Sequence, residues 1–394
     1  MEIIFITSRF PYPINKGDKL RAYYQIIELA KSNNIHLISL SDKDVKEYEL
    51  SQLRDYCSSI HVFKLKNLKI IFNLFRSFFN NKPFQVNYFY SYKIQKKINQ
   101  IIKNVQPDHI FCQLIRTALY LKNQHQFPST IDYMDALSNG IKKRIPLSNL
   151  WMKPILRIEY ERLRNFENLA YEFFDNHVII SDTDRDKIPH LNNKKINIIP
   201  NGIDSKLFQS KEIAQKKYDL VFIGNLSYAP NIEAALYISK TIVPELIQDY
   251  PNLKVLIAGS NPVSKINKLA NKHIYIKGWV EDIKTAYCSG RIFFAPMSIG
   301  TGLQNKLLEA MSLEIPCITS KLANNSLKAT HNKNVLIGNN SDEYIMHIKS
   351  CLENKELRNQ LAFEGRKYVI ENFNWHKSNE KLLKLFKPKQ SGKE

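Results

Sequence analysis

The sequence predicts an α/β protein built from two Rossmann-like parallel sheets. Three observations lead there. The chain has 394 residues, which suits two domains better than one. Apolar runs of strand length alternate with amphipathic helical stretches along both halves. A Pro200-Asn201-Gly202-Ile203-Asp204 turn cluster separates the two series. The expected division is residues 1–200, residues 201–373, and a last helical segment over 374–394.

The totals set bounds on partners. An apolar fraction of 44% supplies cores, and 57 Lys+Arg against 37 Asp+Glu give a formal net charge of +20. That excess points to an anionic partner: nucleic acid, anionic lipid or a phosphorylated substrate. The five cysteines are scattered with no close pair, which argues against a disulfide framework and a structural zinc site and fits a reducing compartment. The first residues carry an early acid and too short an apolar run for a signal peptide. No run of about 18 apolar residues predicts a membrane-spanning helix.

In the first half, Ile3–Ile6 reads as a buried strand. Pro11 and Pro13 punctuate the loop that follows, then Gly17 and Asp18, with Asp18 as the expected helix cap. Leu20, Tyr23, Tyr24 and Ile27 mark a helix face, and Ile35–Leu40 a second strand. This is a Rossmann-like opening without the three-glycine dinucleotide fingerprint, so a nicotinamide cofactor is not expected. Gly17 is either a loop glycine where a ligand approaches the backbone or a simple turn.

No Asp or Glu occurs between Asp55 and Asp108, while nine basic residues and many aromatics do. Within this stretch Leu68, Ile71, Phe72, Phe75, Phe78 and Phe79 fall on one helical face, with Lys69, Asn73 and Arg76 off it. Such a helix suits a membrane interface, or else packs inward with its lysines solvated. No recognition-helix pattern or aromatic RNA-binding strand motif is present, so nucleic acid is not the expected partner. Thr130–Asp135 reads as a strand ending in acids, which makes Asp132 and Asp135 candidates for substrate hydroxyls at the carboxyl edge of a parallel sheet. Asp135 equally suits a cap. Asp182 and Asp184 have the spacing of a metal-diphosphate pair but also stand where a helix begins, and the cap reading is preferred.

The second series runs through strands at Leu220–Ile223, Lys254–Ala258, Ile274–Ile276, Ile292–Ala295 and Cys317–Thr319. Gly224, Gly259, Gly278 and the Gly300/Gly302 pair follow strands and map to one sheet edge. Gly300–Glu309 links a buried strand to an expected helix at Leu303–Met311. The helix start offers N–H donors and the positive end of a dipole to a phosphate. Lys306 adds a cation one turn in, and Glu309 a carboxylate for sugar hydroxyls. That order suits a nucleotide sugar.

Together the Pro-Asn-Gly-Ile-Asp hinge, Phe222-Ile223-Gly224, Lys277-Gly278-Trp279-Val280 and the Gly300–Met311 block resemble glycosyltransferase family 4. Pro11-Tyr12-Pro13 with Lys16-Gly17-Asp18-Lys19 is similar to a bacterial exopolysaccharide or capsule-type subgroup. The resemblance implies the GT-B fold, two Rossmann-like domains facing each other across a cleft, with a tail helix crossing back to the first. It implies a UDP- or GDP-sugar donor held by the second domain, a glycan or lipid-linked acceptor held by the first, and no metal or cofactor. Glu309 matches the second of the family's paired glutamates, and the first falls on Thr301. The usual Arg and Lys after Gly224 are replaced by Asn225–Tyr228, so Lys306 carries more of the diphosphate charge. The family histidine after Thr130-Ile131 is missing, with Asp132 and Asp135 nearby.

The candidate catalytic residues are therefore Asp135, Asp132 and Lys306. The candidate donor-binding residues are Gly17, Gly224, Asn225, Trp279, Val280, Gly300, Thr301, Gly302, Leu303, Lys306 and Glu309. The expected function is a retaining, metal-independent hexosyltransferase of surface polysaccharide synthesis, cytoplasmic and peripheral at the inner face of the cytoplasmic membrane. The alternatives are a sugar-nucleotide epimerase of the same fold, or a basic protein that binds membrane or nucleic acid without chemistry.

Overall fold

The computed structural model describes residues 1–146, 148–204, 216–299 and 302–386. Its contacts divide the chain into two units: Met1–Asn201 with the segment from Trp375, and Gly202–Asn374.

The first unit is a seven-stranded sheet of β1 (Glu2–Thr7), β2 (Asn34–Ser41), β3 (Ser59–Lys64), β4 (His109–Gln113), β5 (Ser129–Asp132), β6 (Asn176–Ile179) and β7 (Asn197–Ile198). The spatial order is β3-β2-β1-β4-β5-β6-β7, and every pairing is parallel. Ile3 to Ile6 of β1 are all fully buried because helices cover both faces of a parallel sheet. The order reverses between β1 and β4, the place where such sheets open a crevice at their carboxyl ends.

The first helix, Gly17–Ala30, begins after Lys16, so Asp18 lies in its first turn and does not cap it. Its buried stripe is Arg21, Ala22, Gln25, Ile26 and Leu29, whereas Leu20, Tyr23, Tyr24 and Ile27 flank it half-buried. The hydrophobic pattern misplaces that face because two polar side chains, Arg21 and Gln25, have an internal partner. The last helix, Trp375–Phe386, joins this unit: Trp375 stacks on Tyr24 at 5.3 Å, and Phe386 on His109 at 4.1 Å.

The helix Asn67–Arg76 carries its apolar face outward. Leu68, Ile71, Phe72, Phe75, Phe78 and Phe79 are 58–83% exposed, so the inward-packing alternative does not hold. The attached side is instead Ile70, Asn73, Leu74 and Ser77. Asn73 Nδ2 donates to the carbonyls of Asn87 and Tyr90 at 3.0 and 2.8 Å.

The second unit holds β8 (Tyr218–Ile223), β9 (Val255–Ala258), β10 (Ile274–Lys277), β11 (Gly290–Ala295), β12 (Cys317–Ser320) and β13 (Leu336–Gly338). The order β10-β9-β8-β11-β12-β13 is again all parallel, and the reversal falls between β8 and β11. The helix Ala229–Tyr237 runs on through a π turn, Ile238–Ile242, to Val243–Asp249. The two units are thus the two parallel Rossmann-like α/β sheets that the sequence predicts.

Candidate functional site

In the second unit the candidate site gathers where the sheet order reverses. The helix after β11 spans Asn305–Ser312, so it starts two residues later than the pattern predicts and leaves Leu303 in the preceding turn. Gln304 precedes the helix with no side-chain cap, and Gly302 has a φ of 72°, a left-handed conformation suited to glycine. Gly300 and Thr301 lie outside the described residues.

Lys306 is half-buried on the second residue of this helix. Its Nζ donates to Asn231 Oδ1, lies 3.7 Å from Met297 Sδ and stands 5.0 Å from the centre of the Phe222 ring. Burial pushes its pKa down to about 7, with Glu309 opposing the shift. No carboxylate lies within ion-pair distance of it among the described residues. Glu309 is nearby, and its Oε2 accepts from the fully buried Tyr287 hydroxyl at 2.6 Å. Burial raises the Glu309 carboxyl, while Tyr287 and Lys306 pull it back. The result is a cation held by a neutral amide and a carboxylate held by a phenol. Each is positioned by a neutral partner.

The glycines play a different part from the one expected. A Cβ on Gly224 would lie 2.7 Å from Asn231 Nδ2, so this glycine makes room for the amide that holds Lys306. Asn231 Nδ2 also donates to the Asn225 carbonyl at 2.9 Å. The Asn225 side chain accepts from Ser227 N and Oγ and shapes the turn before the helix. Gly259, with φ 145°, packs so closely on Gly224 that a Cβ would lie 1.7 Å from its carbonyl oxygen. Beyond β10, Trp279 is 69% exposed and Val280 is half-buried against the core.

In the first unit Asp132 does not reach the surface. It is fully buried: Arg21 Nε donates to its Oδ2 at 2.6 Å, Gln25 Nε2 adds a bond at 3.2 Å, and Met134 N donates to Oδ1 at 2.9 Å. Arg21 also donates to Asn201 Oδ1 at 2.8 Å. The expectation that Asp132 contacts substrate hydroxyls is corrected by this saturation: both oxygens are committed inside the protein. Asp135 is half-buried past the end of β5. Its neighbourhood includes Arg116, whose guanidinium is lowered by burial and then by Arg9, with Asp18 and Asp135 opposing. Arg9 pairs with Asp18 at 3.0 Å, and Arg116 donates to Gln85 Oε1. Gly17 opens its helix, and a Cβ there would meet nothing within 4 Å. Packing therefore does not demand this glycine.

Glu167 supports the loop that carries Asp135. Ser138 donates to it from both N and Oγ, at 2.9 and 2.5 Å. Burial pushes its pKa up to about 8. At the other strand end, Ser181 caps the short helix Asp182–Arg185: Asp184 N donates to Ser181 Oγ, which donates back to Asp184 Oδ2 at 2.6 Å. Asp182 and Asp184 thus serve a helix start, as the preferred reading has it. No group of His, Cys, Asp or Glu suited to a metal is found among the described residues.

Sequence reasoning missed Arg21, Asn231, Tyr287, Glu167, Arg9 and Arg116. For Arg21 the signal was available: with Gln25 it forms a polar pair four residues apart inside an otherwise apolar helix. For Tyr287 there was none, since it lies 22 residues from Glu309 in the chain.

Residues 217–354, which contain the Lys306 site, match the family described as Glycosyl transferases group 1. The chain is 22% identical, over 97% of its own length and 99% of the relative's, to an uncharacterized 44.6 kDa protein in the cps region of Klebsiella pneumoniae. It is 27% identical to the Escherichia coli UDP-Gal:alpha-D-GlcNAc-diphosphoundecaprenol alpha-1,3-galactosyltransferase, over 49% of this chain and 54% of that one. Among solved structures, sucrose-phosphate synthase from Thermosynechococcus elongatus superposes with a TM-score of 0.74 at 16% identity, covering 98% of each chain. Anabaena HepE in complex with UDP-glucose superposes with a TM-score of 0.70 at 14% identity, also covering 98% of each. The structures share the fold, and the family match with the relatives supports a glycosyltransferase.

Proposed function

We propose that this chain is a retaining glycosyltransferase of family 4 that moves a sugar from a nucleoside-diphosphate sugar to a glycan or lipid-linked acceptor in bacterial surface polysaccharide synthesis. The observation that carries the reading is Lys306, a half-buried cation with a neutral amide for its only hydrogen-bonding oxygen among the described residues, standing beside Glu309. A cation kept short of a carboxylate suits an anion that comes and goes. The diphosphate would take the place beside Lys306, with Gly302 and the start of the Asn305–Ser312 helix, and Glu309 would accept from ribose hydroxyls.

The chemistry then follows from charge. The bond between the sugar's anomeric carbon and the diphosphate oxygen breaks, the acceptor oxygen bonds to that carbon, and the acceptor's proton passes to a diphosphate oxygen. Lys306 meets the charge that grows on the leaving group, the effect with most leverage in such transfers. Asp135, with Arg116 near it, is proposed to orient the acceptor. Asp132 positions that edge from inside through Arg21 and Asn201. No metal is assigned to the reaction.

The proposed seat is the inner face of the cytoplasmic membrane. No described helix is long and apolar enough to cross a membrane, and the exposed phenylalanine face of Asn67–Phe79 supports peripheral attachment. The test is a panel of UDP- and GDP-sugars assayed by thermal shift and by transfer to polyprenyl-diphosphate sugars. A ligand at about a hundred times its Kd stabilises by about 2.7 kcal/mol. A donor that isomerises without acceptor would replace this reading with an epimerase. No saturable nucleotide binding would replace it with a basic membrane protein that performs no chemistry.

A further inference from the structure

The first unit contains a groove of ≈ 830 Å³ between the helices Tyr92–Val105 and Lys153–Tyr171, with the Ile115–Tyr120 turn behind it. A volume of that size takes a ligand of several rings, not a lone phosphate. Its lining joins three kinds of group. Tyr90, Tyr92 and Phe173 offer aromatic rings and Asn165 an amide, while Gln95 Nε2 donates to Asn99 Oδ1 at 2.9 Å, which keeps Gln95 Oε1 and Asn99 Nδ2 for a ligand. Lys82, Lys122 and Arg162 supply cations, against Glu161 as the lining's carboxylate. Rings and amides are what a saccharide needs; cations are what a phosphate needs.

The cations are held apart from acids. Lys82 stands 5.5 Å from the Tyr90 ring and Lys122 6.0 Å from the Phe173 ring, and neither has an ion pair among the described residues. Lys82 is lowered by burial, then by Arg76 and Lys122, so it feels both of those positive charges.

The groove opens beside the exposed phenylalanines. Asn81 and Lys82 line it, directly after Phe78-Phe79-Asn80. Arg162 donates to the Ser77 carbonyl, and Phe78 packs edge-on to Phe84 at 5.2 Å, so the apolar helix and the groove wall are fastened together. Lys69 and Arg76 on the same helix, and Lys66 just before it, are exposed. An apolar face with a basic rim fits an anionic bilayer surface, and a polar cationic groove at its edge fits a large head that rises from that surface.

We infer that this groove binds the phosphate-bearing saccharide head of a membrane-anchored lipid, while the exposed face of Asn67–Phe79 rests in the bilayer interface. Bulk anionic phospholipid is not the occupant, because its small head has no use for the amides and rings. Calling this lipid the acceptor rests on the transferase reading; the binding site itself does not.

The experiment is sedimentation of the full chain with three kinds of vesicle: phosphatidylcholine alone, the same doped with phosphatidylglycerol, and the same doped with a polyprenyl-diphosphate sugar at equal total charge. The parent should bind the sugar-diphosphate vesicles at least about tenfold tighter than the phosphatidylglycerol ones, and neutral vesicles poorly. Lys82→Ala with Lys122→Ala should erase that preference while leaving phosphatidylglycerol binding and UDP affinity as in the parent. Asn165→Trp, which fills the groove without changing charge, should erase it too. Phe72→Ser, Phe75→Ser and Phe79→Ser together should abolish binding to both doped vesicles without lowering the melting temperature. Equal binding to the two doped vesicles by the parent overturns the proposal, as does a preference that survives both groove variants. A parent that shows the preference but binds no nucleotide keeps the groove and loses the transferase reading; one that binds nucleotide without the preference does the reverse.

Discussion

Asp132 and Lys306 both lie near the carboxyl ends of parallel strands, and the rule that ligands gather there selects both. Their surroundings differ in kind. Asp132 is fully buried and saturated by Arg21, Gln25 and the Met134 amide. Lys306 is half-buried, bonded to a neutral amide and shifted down by burial. A charge whose partners lie inside the protein stabilises an arrangement. A charge left short of partners favours a ligand that completes it. Position along a strand nominates residues; the partners they have already taken decide between these roles.

The contrast can be broken most directly at Asp132. Removing one member of a buried pair leaves the other charge uncompensated, so Asp132→Ala should cost about 3–5 kcal/mol. Urea denaturation would measure it, with UDP affinity unchanged in the variant that remains folded. If Asp132→Asn instead kept parental stability and lost turnover, Asp132 would belong with Lys306.

Lys306→Met should do the opposite. Loss of a charge-assisted contact weakens UDP by about 1.5–3 kcal/mol, roughly tenfold to a hundredfold. The apo protein should melt no lower than the parent, because a half-buried cation has been replaced by an apolar chain of similar length. The parent should also show a proton linkage. With the free Lys306 pKa down at about 7, much of it is unprotonated at pH 8, and a diphosphate would draw the proton back. Binding should therefore take up protons, and affinity should fall as pH rises above about 7. Calorimetry at pH 8 in two buffers of different ionisation enthalpy reads this directly; the same heat in both buffers would separate Lys306 from the diphosphate.

Glu309→Gln keeps the shape and loses the charge. It should weaken nucleosides by about 1 kcal/mol, near fivefold, whether or not they carry phosphate. An unchanged adenosine, uridine and guanosine panel would remove Glu309 from the ribose.

Glu167 refines the contrast in another way, since it is a buried carboxyl with no ion pair among the described residues. Its pKa is raised to about 8 in the fold, so between the unfolded value and about 8 the folded state holds more protons. Stability must then fall as pH rises through that window. Glu167→Gln should flatten the decline, read as melting temperatures at pH 5.5 and 8.5.

The buried runs of β1, β4, β8 and β11 could be read directly, because strands covered on both faces must be apolar throughout. So could the last helix, Trp375–Phe386, from its leucine spacing. β3, Ser59–Lys64, was not seen, since an edge strand that is only half-buried lacks such a run. The two helices of the acid-free stretch show a further limit. Tyr92–Val105 buries Ile94, Ile98 and Ile102, whereas Asn67–Arg76 exposes its phenylalanines. Periodicity finds an apolar face in each, but which side is attached depends on distant contacts such as Asn73 with the Asn87 and Tyr90 carbonyls. The donor-site candidates Lys306 and Glu309 were nominated by local spacing. Asn231 and Tyr287, which hold them, come from other strands' loops and helices, and spacing carries no trace of that meeting.

Gly224 and Gly259 have a consequence for tracing substrate choice among relatives. Each is held side-chain-free by the protein: Gly224 by Asn231, Gly259 by the carbonyl of Gly224 itself. Neither vacancy is shaped by a sugar or a base. Selection should therefore retain this pair across enzymes that use different donors, and a tree built on these two positions would group chains by architecture. Divergence in donor preference would be written instead at the exposed Ser227 and Tyr228 of the neighbouring turn, whose Leu226 is buried in the core, and a library for redirecting the enzyme should vary those two positions and leave the two glycines alone.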